Sequence, residues 1–314
     1  MRVVFCGSGK FAVRSLEAVI GTAHELVGVV TQPARPAGRG GKPRPTPLGQ
    51  AARAAGLKVS EVEDINAGEA VSAIGELKPD VICVVDFGQM IRKPARDAAR
   101  ISAFNLHGSL LPALRGAAPI NWAIIRGCKD TGVTTFVLVD RMDAGDIYLQ
   151  AATEIRPDET AEELRDRVSQ LGAEVVCNTL DGLASGRITT RPQDESLATL
   201  APLMKKSDGL IDWSAGAATV RNLIHGTWPW PGGQAVFRRA GGEVPVTIAR
   251  AGVVEGNAPD EPGRVGQDLF VATGSGQLQI LEIRPAGKRM MTWRDFVNGY
   301  RVAKGDLFAR PGAW

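Results

Sequence analysis

Residues 81–85 (Val-Ile-Cys-Val-Val) form an unbroken apolar run, which is typical of a β-strand buried on both faces of a sheet. Similar β-rich runs occur at residues 2–6, 25–31 and 101–106, and stretches with helical character separate them. This alternation predicts a doubly wound α/β sheet whose parallel strands are joined by right-handed crossovers. Sheets of this kind bind their ligands at the carboxyl ends of the strands, so the search for a site begins there.

The pattern changes in the last third of the chain. Beyond about Ser207, short strand candidates follow one another closely, and Gly, Pro and Asp separate them, which predicts a small β-barrel. The polar segment before it has the composition of an extended linker. The predicted organisation is an α/β domain over residues 1–189, a linker over 190–206 and a barrel domain over 207–314.

Composition and charge limit the possible classes of protein. The 314 residues are 44% hydrophobic with a net charge of +3, which excludes a disordered polymer and a small disulfide scaffold. The charge is uneven, because residues 31–58 contain six Lys or Arg and no acid, whereas residues 152–199 contain ten acidic and five basic side chains. A Gly/Pro/Arg segment is most often a solvated surface loop. Such a charge cluster also attracts phosphate groups, so a nucleic-acid partner stays open.

The cysteines and the apolar runs indicate a compartment. The four cysteines are widely spaced and form no CxxC pair, which argues against a zinc site or a redox dithiol. No run approaches the ~18 apolar residues of a membrane span, and the apolar start of the chain is too short for a signal peptide. We therefore expect a cytoplasmic protein with no metal and no membrane partner.

Residues 7–12 (Gly-Ser-Gly-Lys-Phe-Ala) follow a predicted strand and begin a helix, so they formally match the GxGxx(G/A) fingerprint of dinucleotide-binding folds. That fingerprint needs an acidic residue at the end of the second strand, and this position is Gln32. A tight strand-to-helix turn explains the glycines more simply. A nicotinamide oxidoreductase is therefore the last of our functional hypotheses.

The strongest candidate site is residues 104–112 (Phe-Asn-Leu-His-Gly-Ser-Leu-Leu-Pro). Because side chains alternate along a strand, Asn105 and His107 point to the same side at the carboxyl end of a predicted parallel strand. An isolated His is usually a surface or hydrogen-bonded core residue, but here an amide shares its face.

An acidic loop at residues 140–146 (Asp-Arg-Met-Asp-Ala-Gly-Asp) lies between two apolar runs. Such residues commonly just form turns. Alternatively, Asp143 reaches His107 and fixes its tautomer. Asn105 would then donate to a developing oxyanion, His107 would accept the proton of an attacking amine, and Asp143 would orient the imidazole. Because Ser109 lacks a GxSxG elbow, direct transfer fits better than a covalent intermediate.

These motifs resemble the 10-formyltetrahydrofolate-dependent formyltransferases, over nearly the whole chain. The pattern of the whole family is seen in FNLHGSLLPALRGAAPINWAI, TGVT and MDAGDI. The pattern of the branch that formylates methionyl initiator tRNA is seen in TQPARPAGRGGKPRPTP, SDGLIDWS, WPWPGG and GKRMMTWRDFVNGYR. The resemblance implies a Rossmann-like formyltransferase domain followed by an OB-like β-barrel domain. It also implies 10-formyltetrahydrofolate as the formyl donor, and Asn105, His107 and Asp143 as the catalytic residues.

The resemblance further implies binding residues for both substrates. Folate contacts are expected from two segments, which contribute Ser109, Leu110, Leu111 and Pro112, and Phe87 and Gly88. Contacts to methionyl initiator tRNA are expected from the basic loop, through Arg39, Lys42 and Arg44. The chain departs from the family at Gly9, where Pro is usual, and at Asn121-Trp122, where Gln-Arg is common. No obligatory protein partner is evident.

Other functions stay open beside formylation of initiator tRNA. One is a formyltransferase of the same superfamily that acts on a sugar or nucleotide amine. Another is an RNA-binding module with a vestigial catalytic domain, which the intact Asn105, His107 and Asp143 disfavour. Formylation of charged initiator tRNA, but not of free methionine or sugar amines, would distinguish the first reading from the rest.

Overall fold

The computed structural model describes residues 1–36, 41, 43–239, 241–256 and 260–312. The chain forms two compact units. The first unit contains residues 1–119, 131–153 and 165–201, and the second contains residues 120–130, 154–164 and 202–314. The predicted linker is thus divided, since its residues up to Ala201 belong to the first unit.

A seven-stranded sheet organises the first unit, in the order β5-β2-β1-β6-β7-β8-β9. Neighbouring strands from β5 to β7 pair in parallel, as predicted, whereas β8 is antiparallel to β7. This arrangement confirms the Rossmann-like α/β fold. The strands of this unit, including a separate pair formed by β3 and β4, are β1 (Arg2–Gly7), β2 (Glu25–Thr31), β3 (Arg35–Pro36), β4 (Pro43–Arg44), β5 (Val59–Glu61), β6 (Val81–Val85), β7 (Ser102–His107), β8 (Asp130–Val137) and β9 (Ile147–Glu154).

The central position of β6 explains its composition. All five of its residues are buried, because β1 and β7 flank it and side chains cover both faces of the sheet. Complete burial of such a side chain contributes about 1.5–3 kcal/mol. The apolar run at residues 81–85 is therefore the centre of the first unit's core, as the sequence predicts.

The helices follow the signals in the sequence. The longest, α6, begins directly after Thr160, whose N–H donates to Glu163 Oε2 at 2.8 Å, while the Glu163 N–H donates to Thr160 Oγ1 at 3.4 Å. This is the predicted capping box, and such a cap is worth about 1 kcal/mol. The helices up to this point are α1 (Phe11–Ile20), α2 (Pro47–Ala54), α3 (Gly68–Glu76), α4 (Lys93–Arg96), α5 (Pro119–Ile125) and α6 (Ala161–Ser185).

The second unit is built on an antiparallel sheet in the order β12-β13-β11-β10-β15, with β14 added to β13. Arg264 bridges to Leu307 of β15 and Val265 bridges to Val271 of β12, so this short segment joins the two edges of the sheet and nearly closes it into a barrel. The predicted OB-like barrel is thereby confirmed. Its elements are α7 (Ala217–Thr227), β10 (Gly233–Arg239), β11 (Gly242–Val254), β12 (Val271–Ala272), β13 (Gln277–Pro285), β14 (Met291–Thr292), α8 (Trp293–Tyr300) and β15 (Leu307–Ala309).

One segment of the barrel is not a regular strand. Residues 263–265 make only isolated bridges, because Gly263 adopts a positive φ of 88° and turns the chain between its two partners. The barrel core is mainly aliphatic and contains an aromatic cluster, in which Phe237 packs against Phe296 and Phe308 at ring-centroid distances of 5.2 and 5.1 Å. Within the described residues, no helix is long and apolar enough to cross a membrane.

His225 is a buried histidine of the second unit. It is 1% exposed, and its Nε2 accepts the Ala251 N–H at 3.1 Å, so the ring is neutral with Nε2 unprotonated. Burial first, and then the charges of Arg221 and Arg250, lower the pKa of His225 to about 4. The imidazole is therefore a structural hydrogen-bond acceptor.

We expect His225 to make the second unit sensitive to acid. The unfolded chain binds a proton at the ordinary pKa near 6.5, whereas the folded chain resists it down to about 4. Stability from this residue is therefore complete above pH 6.5 and decreases by about 3 kcal/mol as the pH falls to 4. Urea unfolding at pH 7.5 and 4.5 would measure the change, and the His225→Gln variant should lose less stability between these values. Equal losses would contradict the assignment.

Candidate active site

Asn105 and His107 lie at the carboxyl end of β7, on the same side of the strand. Their backbones are held on both sides, since Asn105 pairs with Val84 of β6 and with Phe136 of β8. His107 is only 5% exposed, whereas Asn105 is half-buried. The Asn105 side chain makes no hydrogen bond to any residue that the structure describes, so its amide is available to a ligand.

The His107 ring is oriented by a backbone carbonyl. Its Nε2 lies 2.8 Å from Leu114 O, and because a carbonyl oxygen only accepts, Nε2 must carry the proton. The basic lone pair of the neutral ring is therefore on Nδ1. This nitrogen lies 3.7 Å from Asp143 Oδ2, too far for a direct hydrogen bond but close enough for a carboxylate to stabilise the imidazolium.

Asp143 lies in the loop between β8 and β9, as predicted. It adopts a left-handed conformation with φ of 51°, and its Oδ2 accepts the Gly116 N–H at 2.7 Å. The loop packs tightly on β8, because a Cβ on Gly145 would lie 1.8 Å from Val137 O. The structure thus brings Asn105, His107 and Asp143 to one edge of the sheet, although the ring N–H is bound by Leu114 rather than by the carboxylate of a triad.

The turn after β7 carries the first group of predicted folate residues, Ser109, Leu110, Leu111 and Pro112. Ser109 is buried and its Oγ donates to Ala113 O at 2.6 Å, while Thr134 Oγ1 donates to Ser109 O at 2.7 Å. The Leu111–Pro112 peptide is cis. The Ser109 hydroxyl thus stabilises the turn, and it is mainly the backbone of this turn that borders the site.

The second group of predicted folate residues, Phe87 and Gly88, follows β6. The Phe87 side chain is buried in a core cluster of the first unit, and its carbonyl accepts Gln32 Nε2 at 2.8 Å. Gly88 has φ of 79°, and a Cβ there would lie 2.6 Å from Gln32 Nε2. Gln32, at the position where a dinucleotide site needs an acid, thus has a structural role.

Asp86 explains the departure from the family at Gly9. A Cβ on Gly9 would lie 1.7 Å from Asp86 Oδ2, so the carboxyl occupies the space that a larger residue would need. Although the residue as a whole keeps an exposed surface, desolvation of its carboxyl raises the pKa of Asp86 to about 6, while Arg165 and the Phe11 N–H act in the opposite direction. No motif in the sequence singles out this carboxyl.

The predicted tRNA residues are only partly placed. Arg39 and Lys42 lie outside the described residues. Arg44 lies in β4 directly opposite Arg35 of β3, and Arg35 forms an ion pair with Glu63 at 3.3 Å. Arg44 is exposed and pairs with no acidic residue in the described ranges. Its positive charge is therefore available at the surface.

No metal centre is found within the part of the chain that the structure describes, since no group of three His, Cys, Asp or Glu side chains could hold an ion there. The four cysteines are free thiols. The predicted catalytic residues supply an amide, an imidazole and a carboxylate, a set that suits proton transfer and stabilisation of negative charge on oxygen.

Comparison with known proteins shows the family of the chain. Residues 1–180 match the formyl transferase family, and residues 203–301 match the formyl transferase C-terminal domain. The chain is 40% identical over 315 residues to the methionyl-tRNA formyltransferase of Citrifermentans bemidjiense, covering 100% of this chain and 98% of that one. It is 41% identical over 308 residues to the enzyme of the same name from Solibacter usitatus, covering 98% of each chain.

Among solved structures, a sugar 3N-formyl transferase determined in the presence of dTDP and 5-N-formyl-THF aligns with a TM-score of 0.64. The alignment covers 92% of this chain and 99% of the other at 15% identity, so it concerns the fold. The fold and these matches define an enzyme that transfers formyl groups. With about 40% identity over nearly the full length of its relatives, the chain belongs to the methionyl-tRNA formyltransferase family.

Proposed function

We propose that this enzyme transfers the formyl group of 10-formyltetrahydrofolate to the α-amino group of methionyl initiator tRNA, giving N-formylmethionyl-tRNA. The observation that carries the proposal is the convergence of Asn105, His107 and Asp143 at the carboxyl edge of the sheet, in a chain of this family. Translation takes place in the cytoplasm, and the composition of the chain suits that compartment.

The half-buried Asn105 amide is the feature of the site that suits 10-formyltetrahydrofolate as the formyl donor. It makes no hydrogen bond to a described residue, and a formyl oxygen that gains negative charge needs a donor of this kind. The folate supplies a formyl group that is already activated. The folate would be held by the turn at residues 109–112 and by the backbone at residues 87–88, since both segments follow strands that end at the carboxyl edge of the sheet.

The amine attacks the formyl carbon, and the new bond between nitrogen and carbon leaves an excess proton on nitrogen. His107 accepts this proton at Nδ1, because Nε2 already donates to Leu114 O. Asp143 stabilises the resulting imidazolium, and Asn105 donates to the oxygen. As the tetrahedral adduct collapses, the bond between the formyl carbon and N10 of the folate would break, and the His107 imidazolium would return its proton to N10, so that tetrahydrofolate leaves and the formyl group stays on the methionine nitrogen. No covalent bond to the protein is required.

The assay that tests the proposal measures formyl transfer from 10-formyltetrahydrofolate to methionine-charged initiator tRNA. Free methionine and an amino sugar nucleotide serve as competing acceptors in parallel reactions. We expect formylation of the charged tRNA and no measurable product from the other two. Preferential formylation of the sugar amine would instead indicate a formyltransferase of the same superfamily that acts on a sugar or nucleotide amine.

The basic loop is proposed to bind the tRNA through phosphate contacts. Each Lys or Arg that neutralises a phosphate releases a counterion, so its loss weakens binding and reduces the salt dependence by about one unit of slope. For Arg44→Ala we expect weaker binding of the charged tRNA and a smaller slope of log Kd against log salt concentration. Titrations between 50 and about 200 mM salt would measure it, with exposed Arg187→Ala as the matched control. An unchanged slope would exclude a phosphate contact.

A further inference from the structure

Residues 191–201 were predicted to belong to a linker, yet they hydrogen-bond to the segments that carry the site. Gln193 Nε2 donates to Asp143 O at 2.8 Å and to Gly145 O at 2.7 Å. The two carbonyls lie on either side of Ala144, so a single amide spans the turn on which Asp143 is placed. These contacts lie within the first unit.

The turn needs such support because of its backbone. Asp143 has φ of 51°, a conformation that costs a non-glycine residue about 1 kcal/mol or more and persists only when its surroundings hold it. The carboxylate is fixed at only one described point, the Gly116 N–H. Loss of the Gln193 amide would therefore free the turn and change the separation of Asp143 Oδ2 from His107 Nδ1.

Gln193 is itself held in one orientation. Its Oε1 accepts from Arg115 Nε at 3.1 Å and from Arg115 Nη2 at 2.7 Å. Arg115 in turn donates to both carboxylate oxygens of Glu195 at 3.0 Å, and its side chain is only 8% exposed. Because Arg115 can only donate, Oε1 must face it, and the NH₂ group must face the two carbonyls.

Residues 193–199 also position His107, the partner of Asp143. Thr199 Oγ1 accepts the Leu114 N–H at 2.8 Å, and the Arg115 N–H donates to Thr199 O at 2.8 Å. Leu114 has φ of 61°, and its carbonyl accepts from His107 Nε2. Residues 193–199 thus set the position of both the imidazole and the carboxylate.

We infer that Gln193 is a positioning residue for the reaction, which acts by holding Asp143 at the distance where it stabilises the His107 imidazolium. The inference rests on the proposed function. It concerns kcat, because neither Gln193 contact points to a substrate. A purely structural role, in which Gln193 only anchors residues 191–201 through Arg115, predicts a different result for one substitution.

That substitution is Gln193→Glu. The new carboxylate keeps the length of the side chain and still accepts from Arg115, so a structural anchor is preserved. At neutral pH it has no proton to donate to Asp143 O or Gly145 O. Gln193→Ala removes both contacts, and Gln170→Ala, at an exposed position of α6, is the matched control.

We expect Gln193→Glu and Gln193→Ala both to lower kcat about 10- to 100-fold, as loss of an outer contact to a key residue typically does. KM for folate and for charged tRNA should stay within about twofold of wild type, and Gln170→Ala should keep full activity. A Gln193→Glu enzyme with wild-type kcat would overturn the inference. The inference would also be overturned if Gln193→Ala lowered both kcat and the melting temperature while Gln193→Glu kept wild-type kcat, because that pattern is expected of a structural anchor.

The Asp143→Ala background separates this inference from the proposed function. There, Gln193→Glu should cause no further loss of kcat, because the residue that it positions is gone. A further loss of 10-fold or more would mean that Gln193 acts elsewhere. If Asp143→Ala alone keeps wild-type kcat, the proposed mechanism fails instead.

Discussion

Replacement of His107 by Ala should lower kcat for formyl transfer by about 10²- to 10⁴-fold, the range that general-base catalysis supplies. The reason is that His107 Nδ1 carries the basic lone pair of the site, while Nε2 is committed to Leu114 O. KM for both substrates should change little, because the buried ring acts mainly on the transferred proton. Steady-state kinetics with charged tRNA would measure the two parameters.

His24→Gln is the control for this experiment. His24 is a half-buried histidine of the first unit, and its side chain, which is 6% exposed, contacts Asp181 and the amino terminus rather than the site. We expect it to keep wild-type kcat. A His107→Ala enzyme within tenfold of wild type would show that the imidazole is not the base.

The second large effect is expected for Asn105→Ala, which should lower kcat by about 10²- to 10³-fold, the cost of removing one oxyanion donor. The Asn105 amide makes no hydrogen bond to a described residue, so its donors are free for a substrate oxygen. Asn105→Asp should be at least as impaired, since a carboxylate of nearly the same shape brings negative charge to the developing oxyanion. Single-turnover rates at saturating substrate would isolate this step.

Asn178→Ala provides a matched control, because Asn178 is exposed on α6. It should leave the single-turnover rate unchanged. If Asn105→Asp retained more than about a tenth of the wild-type rate, the donor role of Asn105 would be contradicted.

Local patterns were sufficient to predict where the candidate catalytic residues lie in the fold. The alternation of side chains along β7 places Asn105 and His107 on one face whatever the rest of the chain does, and the apolar flanks of residues 140–146 place Asp143 between strands. The apolar run of β6 likewise predicts a central strand, which the sheet order confirms.

The contacts that depend on distant residues could not be predicted in this way. Gln193 and Asp143 are 50 residues apart, and neither hydrogen bonds nor a positive φ leave a periodic signal in the sequence. The burial of the Phe87 ring, and with it the structural use of Gln32, depends on packing between strands. The antiparallel direction of β8 was not anticipated, because an apolar run has no direction.

The most direct test of the central claim is a single-turnover reaction of the wild-type enzyme and the Asn105→Ala/His107→Ala/Asp143→Ala variant with 10-formyltetrahydrofolate and methionine-charged initiator tRNA. Base hydrolysis of the ester releases the amino acid, and mass spectrometry gives the fraction that is N-formylmethionine. We expect complete conversion of the bound methionyl ester by the wild type, and unconverted methionine from the variant although it still binds the tRNA. Unmodified methionine from the wild type, or conversion at the wild-type rate by the variant, would contradict it.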